Sequence, residues 1–436
     1  MILSVIISIA TCVSLMLVIL LKPSLNFNGK GFDIYWIVPV TGAVLLLLCG
    51  AIGFKNVADG FTSASASNPI KVLILFFSVS LISVYLDETG FFEYLAVLAV
   101  KKARASQVRL FFIFFATVSV LTVFTSNDIV ILTFTPFICK FTKRAKINPT
   151  PYIVAEFVGA NTWSMLLIIG NPTNVYLASV SGIGFMEYLS VMAVPTVMGS
   201  LSALAVMFLI FRKSLVHPIC VSVEEAVIAK KTPSAIGLFF LSLSTVFLAI
   251  SGYINVEMWL IALIFAGALV VSDIVYTLVK RSKPTILFNT LRRLPWQLAP
   301  TVIGMFTVVL ALVHCGATEK ICTFLGNSGV IVKYGVLSTL MSNVMNNIPM
   351  SVLFSQICSG LSGETAVKAV YSTVIGSNLG ALFTPVGALA GIMFTKLLTR
   401  HGVEFRFIDF IKYGSVITVV ALTASLSGLA ISMAIL

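Results

Sequence analysis

The amino-acid sequence predicts an all-α polytopic membrane protein built as an inverted repeat of two halves, with about ten transmembrane helices, two re-entrant hairpins and two broken helices. Three observations carry that expectation. Apolar residues make up 58% of the 436 residues and charged ones 10%, against about half and about a quarter in soluble domains. Apolar runs recur at the length of about 20 residues that ~30 Å of hydrocarbon requires. Four further apolar tracts are interrupted in mid-run, in two pairs that echo each other between the halves. The net charge of +12 is spread too thinly to make a nucleic-acid face, and almost every window is too apolar for disorder.

Plain spans fall near 2–21, 36–54, 70–87, 187–211, 235–252, 256–279, 297–313 and 412–434. The first lacks a basic n-region and a small-residue cleavage site, so it reads as a retained helix. Tracts 109–141 and 330–358 are too long for one helix and polar at their centres. Those centres hold Thr125, Ser126, Asn127 and Asp128 in one, and Ser342, Asn343, Asn346 and Asn347 in the other. Each reads as the tip of a hairpin, since irregular backbone is tolerated at membrane depth only where it lines a cavity within protein. Tract 150–180 is cut by Gly170 and Pro172, and tract 365–395 by Pro385 and Gly387. The expected organisation is N-terminal scaffold helices over 1–69, a first repeat over 70–211, a linker with connecting scaffold helices over 212–296, and a second repeat over 297–436.

Charge orients these elements. If each hairpin returns to its own side, 23 of the 28 Lys and Arg residues fall in segments 22–35, 88–109, 140–149, 212–234, 280–296 and 396–412. Only Lys55, Lys71, Lys320, Lys333 and Lys368 fall on the other side. The positive-inside rule then makes the basic loops cytoplasmic, both termini extracytoplasmic and the cell membrane the expected location. The first hairpin enters from inside and the second from outside. That is the plan of secondary transporters, whose substrate sites lie at mid-membrane among broken helices.

Proline removes a donor and frees a carbonyl, so Pro172 and Pro385 are the expected helix-breaking residues. Half-helices beginning near Thr173 and near Val386 would turn N–H groups toward an anion or a neutral oxyacid. The expected substrate-binding set is Ser126, Asn127, Asn171, Thr173, Asn174, Asn346, Asn347, Thr384, Val386 and Gly387. Asn171, Asn174 and Thr384 could instead re-satisfy the broken backbone. Asp128, with Asn127, Gly170, Asn161, Asn347 and Asn378, is the expected seat of a coupling sodium ion or proton. An acid at that depth costs at least ~2.5 kcal/mol, which marks it as functional, though it could also cap the returning helix.

Glu156 is a weaker candidate, placed between interface and core. Asp273 is expected to reach interfacial water or a nearby base. The cysteines, Cys12, Cys49, Cys139, Cys220, Cys315, Cys322 and Cys358, read as small buried hydrophobes, with soft ligation of a metalloid as the sharper alternative. No resident metal or other cofactor is expected. No Walker loop, HExxH or GxSxG occurs, so an enzyme has no motif to stand on. A passive channel would need a polar stripe along several spans, whereas the polar residues gather at two tips.

As a set, several motifs resemble the ion transporter superfamily, within it the arsenite permeases and their sodium/proton-exchanging relatives. They are Leu86-Asp87-Glu88-Thr89-Gly90-Phe91-Phe92-Glu93, Ser126-Asn127-Asp128, Leu294-Pro295-Trp296-Gln297, Met345-Asn346-Asn347-Ile348-Pro349 and Thr384-Pro385-Val386-Gly387. Gly170-Asn171-Pro172-Thr173-Asn174 looks more like the divalent-anion/sodium symporters. The resemblance implies a scaffold plus a mobile transport domain carrying both hairpins and both broken helices. It implies export of arsenite or antimonite, driven by proton entry or by a partner ATPase, and leaves a homodimer open. The arsenite permeases tend to have Asp where this chain has Asn161 and Asn378. That departure favours an anion such as sulfate or a dicarboxylate, moved with sodium.

Overall fold

The computed structural model describes residues 2–21, 24–27, 30–62, 68–219 and 230–436, so Cys220 lies outside the described residues. Helix α1 (Ile2–Leu21) leads through an antiparallel hairpin, β1 (Ser24–Phe27) and β2 (Lys30–Asp33), into α2 (Ile37–Leu48) and α3 (Phe54–Thr62). The span expected over 36–54 is thus shorter. Gly50 takes a φ of +64° and its N–H returns to Leu47 O, the left-handed exit that glycine makes cheap. Twelve residues rise only about 18 Å.

From there the same sequence of elements occurs twice. The first pass is α4 (Pro69–Glu88), α5 (Phe91–Lys102), α6 (Gln107–Phe124), α7 (Asn127–Ala145), α8 (Thr150–Trp163), a 3-10 turn (Ile168–Gly170), α9 (Pro172–Val180) and the long α10 (Phe185–Phe211). Between the passes, a 3-10 turn (Arg212–Leu215) precedes α11 (Lys231–Ala249), α12 (Ser251–Ile254), α13 (Met258–Val279) and the short amphipathic α14 (Thr285–Arg293). The second pass is α15 (Leu298–His314), α16 (Ala317–Leu325), α17 (Val330–Met345), α18 (Asn347–Ser359), α19 (Gly363–Gly380), a 3-10 turn (Pro385–Gly387), α20 (Leu389–Arg400) and the long α21 (Phe407–Ile435).

The packing repeats as well. Helix α6 lies on α7, α8 and the first 3-10 turn, as α17 lies on α18, α19 and the turn at 385. Across the halves, α7 packs on α20 and α18 on α9, while α10 runs along α21. That last seam is close because Gly199 and Gly428 have no side chain. A Cβ at Gly199 would strike Ser425 Oγ, and one at Gly428 would sit 2.9 Å from Pro195 Cα.

Helix α7 brings the chain back to the end from which α6 set out. Tyr152, at the start of α8, donates its hydroxyl to Gln107 Oε1 at 2.9 Å, in the first turn of α6. Segments that the charge pattern puts on one face do meet. Ile219 N–H reaches Ala105 O at 2.7 Å, Ser234 Oγ donates to Thr89 Oγ1 at 2.8 Å, and Arg293 pairs with Asp87 at 2.6 Å. At the opposite end Lys71 pairs with Glu257 at 2.7 Å. Among the described residues, eight helical stretches are long and apolar enough to cross a membrane. They present bare apolar side chains such as Phe239, Val271 and Val419 outward, as a lipid-facing surface does.

Candidate functional site

The site grows from two non-helical tips and two breaks. At the first tip, Ser126 is extended between α6 and α7. Asn127 Oδ1 accepts the N–H of Asp128 at 2.9 Å, and its Nδ2 donates to Asn161 Oδ1 at 3.1 Å. Asn161 is held in turn by its Nδ2 on Phe157 O. At the second tip Asn346 has a φ of +73°, a conformation that costs a non-glycine residue of order 1–3 kcal/mol and persists where surroundings enforce it. Its amide does so, donating to Val386 O at 3.0 Å and accepting from Ile348 N–H.

Both breaks are capped by the residues that interrupt them. Asn171 Oδ1 accepts Thr173 N–H at 3.2 Å ahead of Pro172. Thr384 Oγ1 accepts Val386 N–H at 3.3 Å ahead of Pro385. The second half-helix begins at Leu389, not near Val386. Val386 and Gly387 belong to the 3-10 turn, and Ala388 is extended again. The turn is tight, since a Cβ on Gly387 would lie 2.5 Å from Gly380 O.

The breaks lock together across the two halves. Asn378 Oδ1 accepts from Ser164 Oγ and from Asn171 Nδ2, each at 2.8 Å, and Asn378 Nδ2 donates to Asn174 Oδ1 at 2.7 Å. Asn174 Nδ2 closes on Ser164 O at 2.7 Å, and Thr173 Oγ1 meets Ser377 Oγ at 3.0 Å. Gly170 sits buried in the turn above them. Each polar group here has a partner, as buried polar groups need. Asn171, Asn174 and Asn378 are therefore committed to one another and to their surroundings, as Asn161 is to Asn127 and Phe157 O, and the four line no cavity among those described.

The cavity lies beside the first tip. It measures ≈ 220 Å³ and is bounded by Ser126 and Asp128, by Leu389 and Lys396 of α20, by Ser80 of α4, and by Arg292, Arg293 and Gln297. Arg293 is fixed there by Asp87 and Glu88, each at 2.6 Å, and Arg292 lies 4.2 Å over the Phe288 ring. Asp128 is buried, and its carboxyl does not cap the helix; the side chain serving that N–H is Asn127. At each tip one buried polar atom has no hydrogen-bond partner among the described residues, Ser126 Oγ and Asn347 Oδ1. Asn346 faces a narrow apolar gap against Leu15, Tyr35 and Leu298 instead.

Glu156 is fully buried within the protein and accepts from Thr135 Oγ1 at 2.9 Å because α7 packs directly on α8. Asp273 is placed differently from expectation: it is fully buried, pairs with no base among the described residues and takes the Tyr85 hydroxyl at 2.7 Å. Of the cysteines, Cys12, Cys139, Cys322 and Cys358 are buried, while Cys49 is exposed at the end of α2. Sequence reasoning missed Ser164, Asn343, Arg292, Gln297 and Lys396. Asn343, which takes the Thr384 hydroxyl at 2.6 Å, and Gln297 stood in motifs already singled out. Arg292 and Lys396 looked like ordinary loop charges.

The chain matches the family model described as CitMHS, citrate transporter, over residues 15–373. It is 26% identical over 425 residues to an arsenical pump membrane protein of Escherichia coli, covering 94% of this chain and 96% of that one. A putative arsenical pump membrane protein of Bacillus subtilis is 23% identical, with 86% and 89% covered. Among solved structures, the YdaH transporter of Alcanivorax borkumensis superposes with a TM-score of 0.57 at 14% identity, over 98% of each chain. MtrF of Neisseria gonorrhoeae, described within a class of antimetabolite efflux pumps, gives 0.52 at 12% identity, over 98% of this chain and 94% of its own. Those two likenesses concern the fold alone. A model matched over most of the chain, on a structure of many apolar helices and one short β-hairpin, makes this protein a multi-pass membrane transporter of the CitMHS citrate transporter family, within the ion transporter superfamily.

Proposed function

We propose that the chain is a secondary active transporter of a small oxygen-rich anion, working by elevator-like alternating access. The observation that carries this is the ≈ 220 Å³ cavity in which a hairpin tip meets three cationic side chains, Arg292, Arg293 and Lys396. Ser126 Oγ, buried there without a partner among the described residues, would donate to a substrate oxygen. Arg293 has its charge answered by two acids, and Arg292, stacked on the Phe288 ring, is the cation that would meet the anion. Charge-assisted hydrogen bonds of this kind are worth roughly 1.5–3 kcal/mol each.

In this reading α6 to α9 and α17 to α20 form the moving unit, tied together by the Asn378 interlock. Helices α1, α2, α4 and α15 form the frame against which it slides. The repeated order of elements supports inverted halves, and the charge pattern supports a cavity open to the cytoplasm. Asp128, on the wall of the same cavity, is the group through which a coupling cation would act. Arsenite or antimonite efflux is the second reading, favoured by the near full-length relatives named as arsenical pump membrane proteins.

The test is counterflow in proteoliposomes with labelled citrate, sulfate, phosphate and arsenite in turn. Saturable exchange of one of the three anions is expected. Arg292→Gln should raise its half-saturating concentration about tenfold or more, at 1.4 kcal/mol per decade. Exchange of arsenite alone, unmoved by Arg292→Gln, would establish the second reading in its place. Non-saturating flux would make the protein a channel.

A further inference from the structure

We infer that Glu156 is a proton-carrying residue of this transporter, distinct from the cavity and its Asp128. The inference rests on the transporter reading. Glu156 sits on α8, fully buried, with Thr135 Oγ1 of α7 as the donor to its Oε1 and no partner for Oε2 among the described residues. An ionised carboxylate offers about four acceptor positions, and among the described residues Thr135 alone, through its hydroxyl and its backbone, answers them. None of the described ion pairs includes it. Helix α8 packs on α6, α7, α10 and α19, and its Phe157 meets Phe394 of α20 and Phe410 of α21; among the described residues, the titratable group in electrostatic contact with Glu156 is Cys139 of α7. The basic residues Lys143 and Arg144 belong to the last turn of α7. A carboxyl so placed has room and reason for a proton on Oε2.

Its position links that proton to the substrate. Thr135 lies two turns along the helix that begins at the first tip. Asn161, which holds the tip residue Asn127, lies five residues further along the helix of Glu156. The Glu156–Thr135 bond thus joins the helix that begins at the tip to the helix whose Asn161 holds it. With Glu156 ionised, the Thr135 hydroxyl is drawn into a charge-assisted bond, about twice as strong as a neutral one. With a proton on Oε2 that bond slackens and Oε2 becomes a donor. The step is a plain protonation: a proton taken from water on one face and returned to water on the other, with no bond broken. Asp273, the other fully buried acid, sits on α13 outside both repeats and cannot travel with the tip.

The test pairs a readout that needs no substrate with one that does. Infrared difference spectra of the purified protein between alkaline and acidic buffer should show a buried carboxylic C=O band that Glu156→Gln removes. In proteoliposomes, Glu156→Gln should cut accumulation of citrate or arsenite driven by a pH gradient at least about tenfold, within the range general acid–base groups contribute. Counterflow of the same compound should stay within about twofold. If the Gln form does not fold, Glu156→Asp, which moves the carboxyl by one methylene, should shift the pH midpoint of the band. A band unchanged in Glu156→Gln, an unmoved midpoint in Glu156→Asp, or gradient-driven accumulation retained within about twofold overturns the proposal. Absence of wild-type counterflow is a failure of the transporter reading, and the infrared band still decides Glu156.

Discussion

At the scale of single residues, the structure sorts a set of similar-looking polar side chains into those already paired and those still available. Asn171, Asn174 and Asn378 spend their amides on each other, whereas Ser126 and Asp128 border open space. Asp128→Asn should therefore abolish gradient-driven flux without unfolding the protein, because the variant keeps the shape of the wall and the Asn127 cap. Flux and melting temperature measured together check this, and retained coupling would remove Asp128 from the mechanism. That Asp128 mattered was legible from its depth in an apolar tract. The rest of its cavity was not, since Arg292 and Lys396 join that wall from positions 164 and 268 residues away along the chain. Pattern reading has no access to such pairings.

At the scale of elements, the interruptions were the most readable feature. The glycines and prolines at 170, 172, 385 and 387 stop helices by removing donors or side chains, and both breaks lie where those residues stand. Both breaks run through a 3-10 turn and one extended residue into a new helix, Ile168–Gly170 and Asn171 in one and Pro385–Gly387 and Ala388 in the other. What could not be read was the place of the proline, which opens the new helix in the first break and the 3-10 turn in the second. Proline fixes φ but leaves ψ open, so the following residues decide. Pro172→Ala and Pro385→Ala should each lower stability by ~1 kcal/mol or less, through the looser unfolded chain. Each should also weaken binding of the transported anion, most simply seen as a smaller ligand-induced rise in melting temperature. Unaltered affinity in both would reduce the breaks to architecture.

At the scale of the whole molecule, the two-fold recurrence of elements came through in the sequence because paired interruptions survive where side-chain identity does not. The grouping of basic segments at one end follows from the same charge asymmetry, and the contacts among Ala105, Ile219, Thr89, Ser234 and Arg293 are consistent with it. With the native cysteines removed, a cysteine at Lys146 or Arg281 should react with an impermeant thiol reagent only from the cytoplasmic side. One at Lys320 should react only from the opposite side. Labelling of Lys146→Cys and Lys320→Cys from the same side would invalidate the proposed topology.

The interlock around Asn378 also has a consequence for biosynthesis. Asn174 must wait for a partner 204 residues further along the chain, which at about 5–20 residues per second is roughly 10–40 s of translation. Throughout that interval the nascent first half carries Asn171 Nδ2 and Asn174 Oδ1 without the partner that Asn378 will supply. The newborn chain should then be most vulnerable to quality-control proteases midway through its own manufacture, and slowing the ribosome after the first half should lower the yield of intact protein.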